Sequence, residues 1–341
     1  MKIIKQFTII ASFFSIYLIA LKYSQSFQYI KFYYSPLFAS NSSTQTLQSN
    51  QQISNKVHLV NPELNDYLNL VLNPTSLCRT QKKTDPFIFI YVFLAAKNYE
   101  RRKQIRDTWA NKTYFKGIRV AFIIGRSNNE SVEKKLITEQ KKHADLIQGA
   151  FIDAYRNLSY KSLLSWKWIK SYCSNAKFYV KIDDDVVLNT FFLEKILSNP
   201  KKNFPDLKDL TFLCKYWTHA PAIRDPNSKW YASPAEYNQK LYGMNHYPTY
   251  CAGMGLLMTS ELMVRLYTAA FDVKVFWIDD VYVGIVGRQV GARFKSSISL
   301  VKSKSSYLNV NVKQVLFIID CNTDQEFHSA WNNVVKRTVW N

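Results

Sequence analysis

The sequence lacks the short patterns that identify several common classes of binding protein. Its five cysteines are widely spaced and form no Cys-x-x-Cys pair, which excludes the usual cysteine metal site and the dithiol redox motif. It contains no RNP motif, no zinc-finger spacing and no basic region followed by heptads. Acidic residues are also few, with 25 Asp and Glu against 45 Lys and Arg. The resulting charge of +20 suits a phosphate-bearing substrate or an anionic membrane, and we expect no nucleic-acid partner.

The composition is that of a folded chain in a secretory compartment. With 47% hydrophobic and 15% aromatic residues, the 341-residue chain is not generally disordered and predicts one large domain or two small ones. Asn-x-Ser/Thr triplets begin at Asn41, Asn111, Asn129 and Asn157, which favours the lumen. In that setting the cysteines predict two disulfides and one free thiol, the alternative being five buried thiols in a reducing compartment.

The N-terminal segment predicts a membrane anchor followed by a stem. Residues 1–6 form a short tail, and the mostly apolar segment 7–23 falls a little short of the ~20 residues that span a typical bilayer. Leu21 and its bulky neighbours stand where a signal peptidase requires small residues, so the anchor is expected to remain uncleaved. Residues 24–85 are rich in Ser, Asn, Gln and Thr, and they predict a flexible lumenal stem.

From Pro86 onward the pattern predicts an α/β domain, which we assign to residues 86–341. Apolar runs typical of strands are FIFIYVFLAA, RVAFIIG, DLIQ and KFYVKI. The segments between them, NYERRKQIRDTWA, ESVEKKLITEQKKHA and SYKSLLSWKWIKSYC, have helical spacing. Strand–helix–strand alternation predicts a parallel sheet. Trp109, Trp166 and Trp168 are assigned to its core.

Three consecutive carboxylates, Asp183, Asp184 and Asp185, follow the last of these strands. Adjacent like charges repel, so a compensating positive charge is expected nearby. In open α/β sheets ligands gather beyond the carboxyl ends of strands. An Asp-x-Asp pair there can hold Mg²⁺ or Mn²⁺ through oxygen ligands and leave positions open for substrate phosphates. A solvated acidic turn is the alternative reading.

A second acidic pair, Asp279 and Asp280, lies between the aromatic dipeptide FW and the segment VYVG. A carboxylate at the start of a helix is more often a cap than a catalyst. Two separated acidic sites in one α/β domain favour a functional reading, because one can bind metal while the other acts as a general base.

Several ordered motifs across residues 86–295 together resemble one family. They are RRKQIRDTWA, FIIG, DLIQGAFIDAYRNLSYKS, CSNAKFYVKIDDDVVLN, YPTYCAGMG and DDVYVGIVGRQVG. The chain resembles the β-1,3-glycosyltransferases, a galactosyltransferase family of type II Golgi membrane proteins. Several motifs in one order are far more specific than any single motif.

The resemblance implies a GT-A fold, a mixed, mainly parallel sheet flanked by helices. It also implies an inverting β-1,3-hexosyltransferase that moves galactose or N-acetylglucosamine from a UDP-sugar to the 3-hydroxyl of a glycan on a glycoprotein or glycolipid. The expected cofactor is Mn²⁺, held by Asp183 and Asp185, and the expected location is the Golgi membrane, with a single-pass anchor and a lumenal catalytic domain.

The resemblance also implies roles for individual residues. Asp280 would be the catalytic base, and Trp277 would stack on the acceptor, unless its ring belongs to the core. The implied donor-binding residues are Arg102, Arg106, Asp153, Lys161, Asp183, Asp184, Gly253 and Gly255. For the two arginines a structural ion pair is the alternative, and for the two glycines a tight turn.

Departures from the family pattern leave some alternatives open. The family usually has Glu-Asp-Val where this chain has Asp279-Asp280-Val281, a change that keeps the proposed base. A late histidine that binds metal in relatives has no aligned counterpart among His219, His246 and His328. Two rival functions are a haloacid-dehalogenase-like phosphohydrolase with Asp183 as its nucleophile and an inactive lumenal carbohydrate-binding protein.

Overall fold

The computed structural model describes most of the chain beyond the N-terminal region. The described residues are 64–79, 87–115, 117–204, 207, 209–296, 301–303 and 312–338. Their strands are β1 (Leu70–Leu72), β2 (Ile88–Phe93), β3 (Ile118–Arg126), β4 (Leu146–Ile152), β5 (Phe178–Asp183), β6 (Val187–Leu188), β7 (Thr211–Trp217), β8 (Tyr250–Thr259), β9 (Arg293–Ser296), β10 (Val301–Ser303) and β11 (Phe317–Ile319). Their α-helices are α1 (Leu64–Tyr67), α2 (Tyr99–Asp107), α3 (Glu130–His143), α4 (Leu158–Tyr172), α5 (Thr190–Ser198), α6 (Pro200–Asn203), α7 (Gln239–Tyr242), α8 (Ser260–Ala270), α9 (Asp279–Gln289) and α10 (Asp324–Thr338).

Within the described residues, eight strands form one mixed sheet in the order β1-β4-β3-β2-β5-β8-β7-β9. The pairings among β4, β3, β2 and β5 and the pairing of β7 with β9 are parallel, whereas β1 with β4, β5 with β8 and β7 with β8 are antiparallel. The strands β10, β11 and β6 form a second, small sheet. The predicted mixed, mainly parallel sheet flanked by helices is therefore confirmed.

The central strand β2 shows why the sheet is buried on both faces. Ile88, Ile90 and Val92 point into one apolar cluster, and the alternating Phe89, Tyr91 and Phe93 point into the other. Side chains alternate along a strand, so an uninterrupted apolar run supplies both faces at once. Trp109 lies in the first cluster, and Trp166 and Trp168 on α4 lie in the second. All three are buried as expected.

The strand order creates a crevice beyond the carboxyl ends of the central strands β2 and β5. The chain runs outward from β2 through β3 to β4, and then returns to the other side of β2 as β5. Such a reversal leaves a gap between the loops that follow the two central strands, and ligands of open α/β sheets bind there. Phe93, the last residue of β2, pairs with Asp183, the last residue of β5. The acidic triplet therefore begins at this gap.

The predicted boundary between stem and domain at residue 86 is wrong for residues 64–79. Leu70 and Leu72 on β1 pair with β4, and Leu64 and Leu68 are buried in the core. A disulfide joins Cys78 to Cys173 at the end of α4. Within the described ranges no helix is both long enough and apolar enough to cross a bilayer. The predicted anchor at 7–23 lies outside those ranges.

The predicted count of two disulfides and one further thiol is confirmed. The second disulfide joins Cys214 on β7 to Cys251 on the neighbouring strand β8. Cys321 is buried outside both disulfides. The Cys214–Cys251 bridge holds the first residues of β8 beside β7, two residues before Gly253, which lines the crevice.

Candidate active site

A cleft of about 590 Å³ opens at the carboxyl ends of β2 and β5. It brings together most of the predicted functional residues from four separate segments of the chain. Those that line it are Asp153, Lys161, Asp183, Asp184, Asp185, Gly253, Trp277, Asp279 and Asp280. A wider groove of about 1310 Å³ lies between α2 and α3, but Glu130 and Glu139 there are already paired with lysine and arginine side chains. We therefore assign the candidate active site to the smaller cleft.

The acidic triplet forms the floor of this cleft. The amide of Asn98, in the loop after β2, donates to the Asp184 carboxylate at 3.1 Å. Burial, followed by the charges of Asp183 and Asp184, raises the pKa of Asp185 to about 6. Burial also raises the pKa of Asp184 above its usual value. The surroundings therefore disfavour the charged forms of these two carboxylates, and a bound cation would stabilise those charged forms.

A buried lysine on β5 connects the two acidic sites. The Lys181 ammonium donates to an Asp183 oxygen and to the Gly253 carbonyl oxygen, each at 2.6 Å. It lies 3.8 Å from an Asp279 oxygen. Burial alone would lower the pKa of Lys181, but the charges of Asp183 and Asp279 outweigh burial and raise it. Lys181 is therefore a permanent cation that holds the end of β5, the start of β8 and the start of α9 at one point.

Asp279 and Asp280 form the first turn of α9 and face the same cleft. Burial raises the pKa of both, and for Asp280 the added charge of Asp279 brings it to about 7. Gly284 permits this placement, because a Cβ added there would lie 2.5 Å from the Tyr250 Cβ on β8. Its absence lets α9 pack closely on the sheet. Asp280 is thus a half-buried carboxylate with raised basicity, the property required of a general base.

Asp153 and Lys161 form a buried ion pair at the side of the cleft. The Lys161 ammonium lies 2.9 Å from one Asp153 oxygen and donates to the Leu94 carbonyl oxygen at 2.6 Å. The other Asp153 oxygen accepts from the backbone N–H groups of Ala96 and Gly125, at 3.0 and 2.9 Å. Both residues line the cleft, and their contacts fix the loop that follows β2 and the end of β3.

The placement of Arg102 and Arg106 corrects their predicted role in donor binding. Every nitrogen of the Arg102 guanidinium is engaged, two by Glu139 and one by the carbonyl oxygens of residues 95 and 96. Arg106 binds Asp145 through two nitrogens and shares one of them with Glu139. Neither arginine lines the cleft. The structural ion pair, the alternative left open by the sequence, is the arrangement observed.

Glu139 is the centre of this buried network. Burial would raise its pKa, but the hydrogen bonds and charges of Arg102 and Arg106 outweigh burial and hold the pKa below its usual value. The network joins α2 to α3 across 37 residues of sequence. The network packs against the loop after β2 on the side away from the cleft, and none of its residues lines the cleft.

The two predicted glycines have different surroundings. Gly253 lines the cleft, and its carbonyl oxygen accepts from Lys181. Gly255 does not line it: a Cβ there would lie 2.9 Å from the ring of Phe317 on β11. Gly255 is therefore not among the residues that face the cleft, and its lack of a side chain serves close packing between the two sheets.

Aromatic side chains form the mouth of the cleft. Trp277 lines it, but the Arg156 guanidinium lies 4.2 Å from the centre of its ring and covers one face. Arg156 also pairs with Glu236. The rings of Tyr155 and Trp230 line the same cleft and are more open, at 53% and 44% exposure. Trp277 can offer a sugar only its uncovered face, and Tyr155 and Trp230 are further stacking surfaces that the sequence reading missed.

The donor set of the cleft fits a hard divalent cation in chemistry, although it is not a preformed cage. Among the described residues no group of three or more His, Cys, Asp or Glu side chains is arranged to hold a metal ion. The carboxylates of Asp183 and Asp185 are oxygen donors, and one or two carboxylates are what Mn²⁺ and Mg²⁺ use when substrate phosphates complete their coordination. His219 and His246 stack on each other with ring centres 4.9 Å apart, and His328 lies on α10; none of the three lines the cleft.

Comparisons with known proteins show that the part of the chain that forms this site is similar to one family. A profile of the galactosyltransferase family covers residues 100–297, more than half of the chain. The chain belongs to the galactosyltransferase family. It is 27% identical over 281 residues to mouse β-1,3-galactosyltransferase 1, covering 81% of this chain and 80% of that protein. It is 30% identical over 230 residues to human lactosylceramide 1,3-N-acetyl-β-D-glucosaminyltransferase, covering 65% of this chain and 58% of that protein.

A solved structure adds little to this family assignment. The apo structure of the bifunctional glycosyltransferase WbbM has a TM-score of 0.41 and 12% identity, covering 76% of this chain and 51% of that chain. A likeness this distant carries no argument. The galactosyltransferase family profile and the curated relatives therefore carry the assignment, and the cleft geometry distinguishes residues near the chemistry from residues that support it.

Substituting Arg102 by Gln tests the structural role of the arginines. Breaking a buried ion pair typically costs about 3–5 kcal/mol, so we expect a clear fall in the midpoint of denaturant unfolding and an unchanged donor KM in the molecules that fold. Lys103→Gln on the same helix is the matched control, because Lys103 and its partner Asp107 are exposed. A normal unfolding midpoint together with a raised donor KM would restore Arg102 to the donor site.

Proposed function

We propose that this member of the galactosyltransferase family is an inverting β-1,3-hexosyltransferase of GT-A type. One observation carries the proposal: the acidic triplet and the pair Asp279–Asp280 face a single cleft and are joined by Lys181. One acidic site can bind the donor while the other serves the acceptor. The names of the relatives support transfer to a 3-hydroxyl, and galactose is favoured over N-acetylglucosamine as the donor sugar on family frequency alone.

In this proposal Asp280 activates the acceptor. In the reaction the 3-hydroxyl oxygen of the acceptor attacks C1 of the donor sugar, its proton passes to Asp280, and UDP departs from the opposite face. One displacement without an enzyme nucleophile inverts the anomeric carbon. The raised pKa of Asp280 makes its carboxylate a stronger base than an ordinary aspartate, and the start of α9 fixes its position.

Asp183 and Asp185 would hold a divalent cation, with Mn²⁺ as the proposed ion. When bound, such an ion supplies Lewis-acid neutralisation of the departing diphosphate. Lys181 holds Asp183 in position through a hydrogen bond, and Asn98 orients Asp184. The rings of Tyr155, Trp230 and Trp277 provide apolar faces for sugar C–H groups at the mouth of the cleft.

The wider setting also belongs to this proposal. The partners are UDP-galactose or UDP-N-acetylglucosamine and a glycan on a glycoprotein or glycolipid. A single-pass anchor at 7–23 would hold the catalytic domain in the Golgi lumen, and the two disulfides support an oxidising compartment. Membership of the galactosyltransferase family argues against the phosphohydrolase alternative. Measured turnover would distinguish the transferase from an inactive carbohydrate-binding protein.

Substitution of Asp280 by Asn tests the proposed base. Loss of a general base typically slows the chemical step by about 10²–10⁴-fold, so sugar transfer should fall by at least that lower factor while UDP-sugar binding, measured by calorimetry, is retained. Asp107→Asn on the exposed surface of α2 is the matched control. Undiminished transfer by the Asp280 variant would refute the proposal that Asp280 is the general base.

Removal of divalent metal tests the proposed cation site. UDP release from UDP-galactose and UDP-N-acetylglucosamine, with a panel of glycan acceptors, should stop in EDTA and return with Mn²⁺. Calorimetry should show UDP binding strengthened by Mn²⁺ in the unchanged chain but not in Asp185→Asn. Full transfer in EDTA would contradict the metal proposal, and absence of transfer from every donor would favour the inactive binding protein.

A further inference from the structure

Arg156, in the single helical turn between β4 and α4, joins two segments at the mouth of the catalytic cleft. One is the β7–β8 connection, residues 218–249, whose Trp230 lines the cleft. The other is the segment before α9, whose Trp277 lines the cleft three residues before Asp280. Arg156 itself does not line the cleft. Its contacts therefore act on residues of the mouth and not directly on a bound sugar.

The contact with the β7–β8 connection is made by Glu236, whose carboxylate is also held by its own turn. One Glu236 oxygen pairs with the Arg156 guanidinium. The other accepts from the backbone N–H and the hydroxyl of Ser233, each at 2.9 Å. Burial would raise the pKa of Glu236, but the hydrogen bonds from Ser233 and the charge of Arg156 outweigh burial and hold the pKa below its usual value. Glu236 is therefore an ionised group that the connection itself holds in place.

The contact with the segment before α9 is made by the ring of Trp277. The Arg156 guanidinium carbon lies 4.2 Å from the centre of that ring, a distance at which a cation is attracted to the face of an indole. Tyr155 packs against the same ring, with ring centres 6.3 Å apart. The Trp277 ring nitrogen is closed to solvent and has no hydrogen-bond partner among the described residues. The orientation of Trp277 therefore depends on packing, and Arg156 holds one of its faces.

The backbone of the β7–β8 connection links Glu236 to Trp230. The Arg224 guanidinium donates to the carbonyl oxygens of residues 232 and 237. These two bonds tie both ends of the stretch that carries Glu236 to one side chain, and Trp230 lies two residues before that stretch. A contact that fixes Glu236 therefore also limits the position of the Trp230 ring.

The exposure of the ion pair indicates that it serves position more than stability. The side chains of Arg156 and Glu236 are 56% and 33% exposed, and ion pairs between exposed side chains contribute little to the free energy of folding. Arg265 and Glu261 on α8 form an ion pair of similar exposure, and neither of them lines the cleft. This second pair is a matched control for the first.

We propose that Arg156 is a positioning residue of the acceptor site, which clamps the β7–β8 connection to Trp277 and so fixes the rings of Trp230 and Trp277 relative to each other. The clamp rests on the proposed transferase function, because those rings are the surfaces offered to the acceptor sugar. Rings that are already held in place lose less freedom when a sugar binds, which favours affinity. The clamp therefore acts on acceptor binding, and donor binding is independent of it.

Substitution of Arg156 by Gln in the full-length chain tests the clamp by its separate effects on the two substrates. We expect the acceptor KM to rise at least about fivefold, equivalent to about 1 kcal/mol of binding, with donor KM and kcat changed by less than about twofold. Arg156→Lys keeps a cation for both contacts and should restore part of the lost acceptor affinity. Arg265→Gln should leave the kinetic parameters of both substrates unchanged.

A double-mutant cycle distinguishes the clamp from a general loss of structure. In a Trp277→Leu background the ring that Arg156 holds is absent, so adding Arg156→Gln should raise the acceptor KM no further. Glu236→Gln should reproduce the effect of Arg156→Gln and add little to it. Additive effects in either combination, or an unchanged acceptor KM in folded Arg156→Gln, would overturn the proposal.

Amide hydrogen exchange tests the clamp without any sugar transfer. Arg156→Gln should speed exchange at residues 228–237 and leave exchange in the central strands unchanged, whereas Arg265→Gln should change neither. Unchanged exchange at residues 228–237 would contradict the clamp even in a protein that transfers no sugar. Failure of the clamp leaves the proposed transferase function standing. Absence of transfer from every donor would contradict that function, and exchange would still decide the clamp.

Discussion

The contact of one buried ammonium group with two acidic segments is the interaction on which the site depends. Lys181 is buried, so its lone charge would be strongly unfavourable, and the carboxylates of Asp183 and Asp279 compensate it. The largely buried Asp279 in turn depends on Lys181 for a nearby positive charge. Residues 181, 183 and 279 therefore cannot be placed independently, and the start of α9 is held at the end of β5. The two halves of the proposed chemistry share one cleft for this reason.

The sheet provides the rigid frame for that contact. The reversal of strand order between β2 and β5 opens the gap, and Asp153, just after β4, holds the loop after β2 and the end of β3 through two backbone N–H groups. The Cys214–Cys251 bridge and Gly284 bring β8 and α9 close to the same edge. Flexible segments could not hold an acceptor hydroxyl, a base and a diphosphate in line, and preorganisation of this kind carries much of the rate in group transfer.

Local patterns predicted the alternating strands and helices, the acidic triplet at a strand end and the three core tryptophans. They failed where a partner lies far away in sequence. Arg102 looks like a phosphate ligand until Glu139 is placed beside it, and Gly255 looks like a substrate contact until Phe317 is placed over it. Residues 64–79 follow a polar tract, and both their pairing with β4 and their disulfide to Cys173 involve partners that are distant in sequence. Lys181 could have been found, because residues two apart on a strand share a face and place it beside Asp183.

The most direct measurement is the transfer rate of Lys181→Met, per folded molecule, against Lys170→Met as an exposed control. Methionine keeps the length of the side chain but removes the charge that compensates Asp183 and Asp279. The account predicts a loss of at least about 100-fold in transfer, in the range of losing a catalytic group, with a lowered thermal midpoint and an unaffected control. A folded Lys181→Met protein that transfers sugar at the rate of the unchanged chain would contradict it.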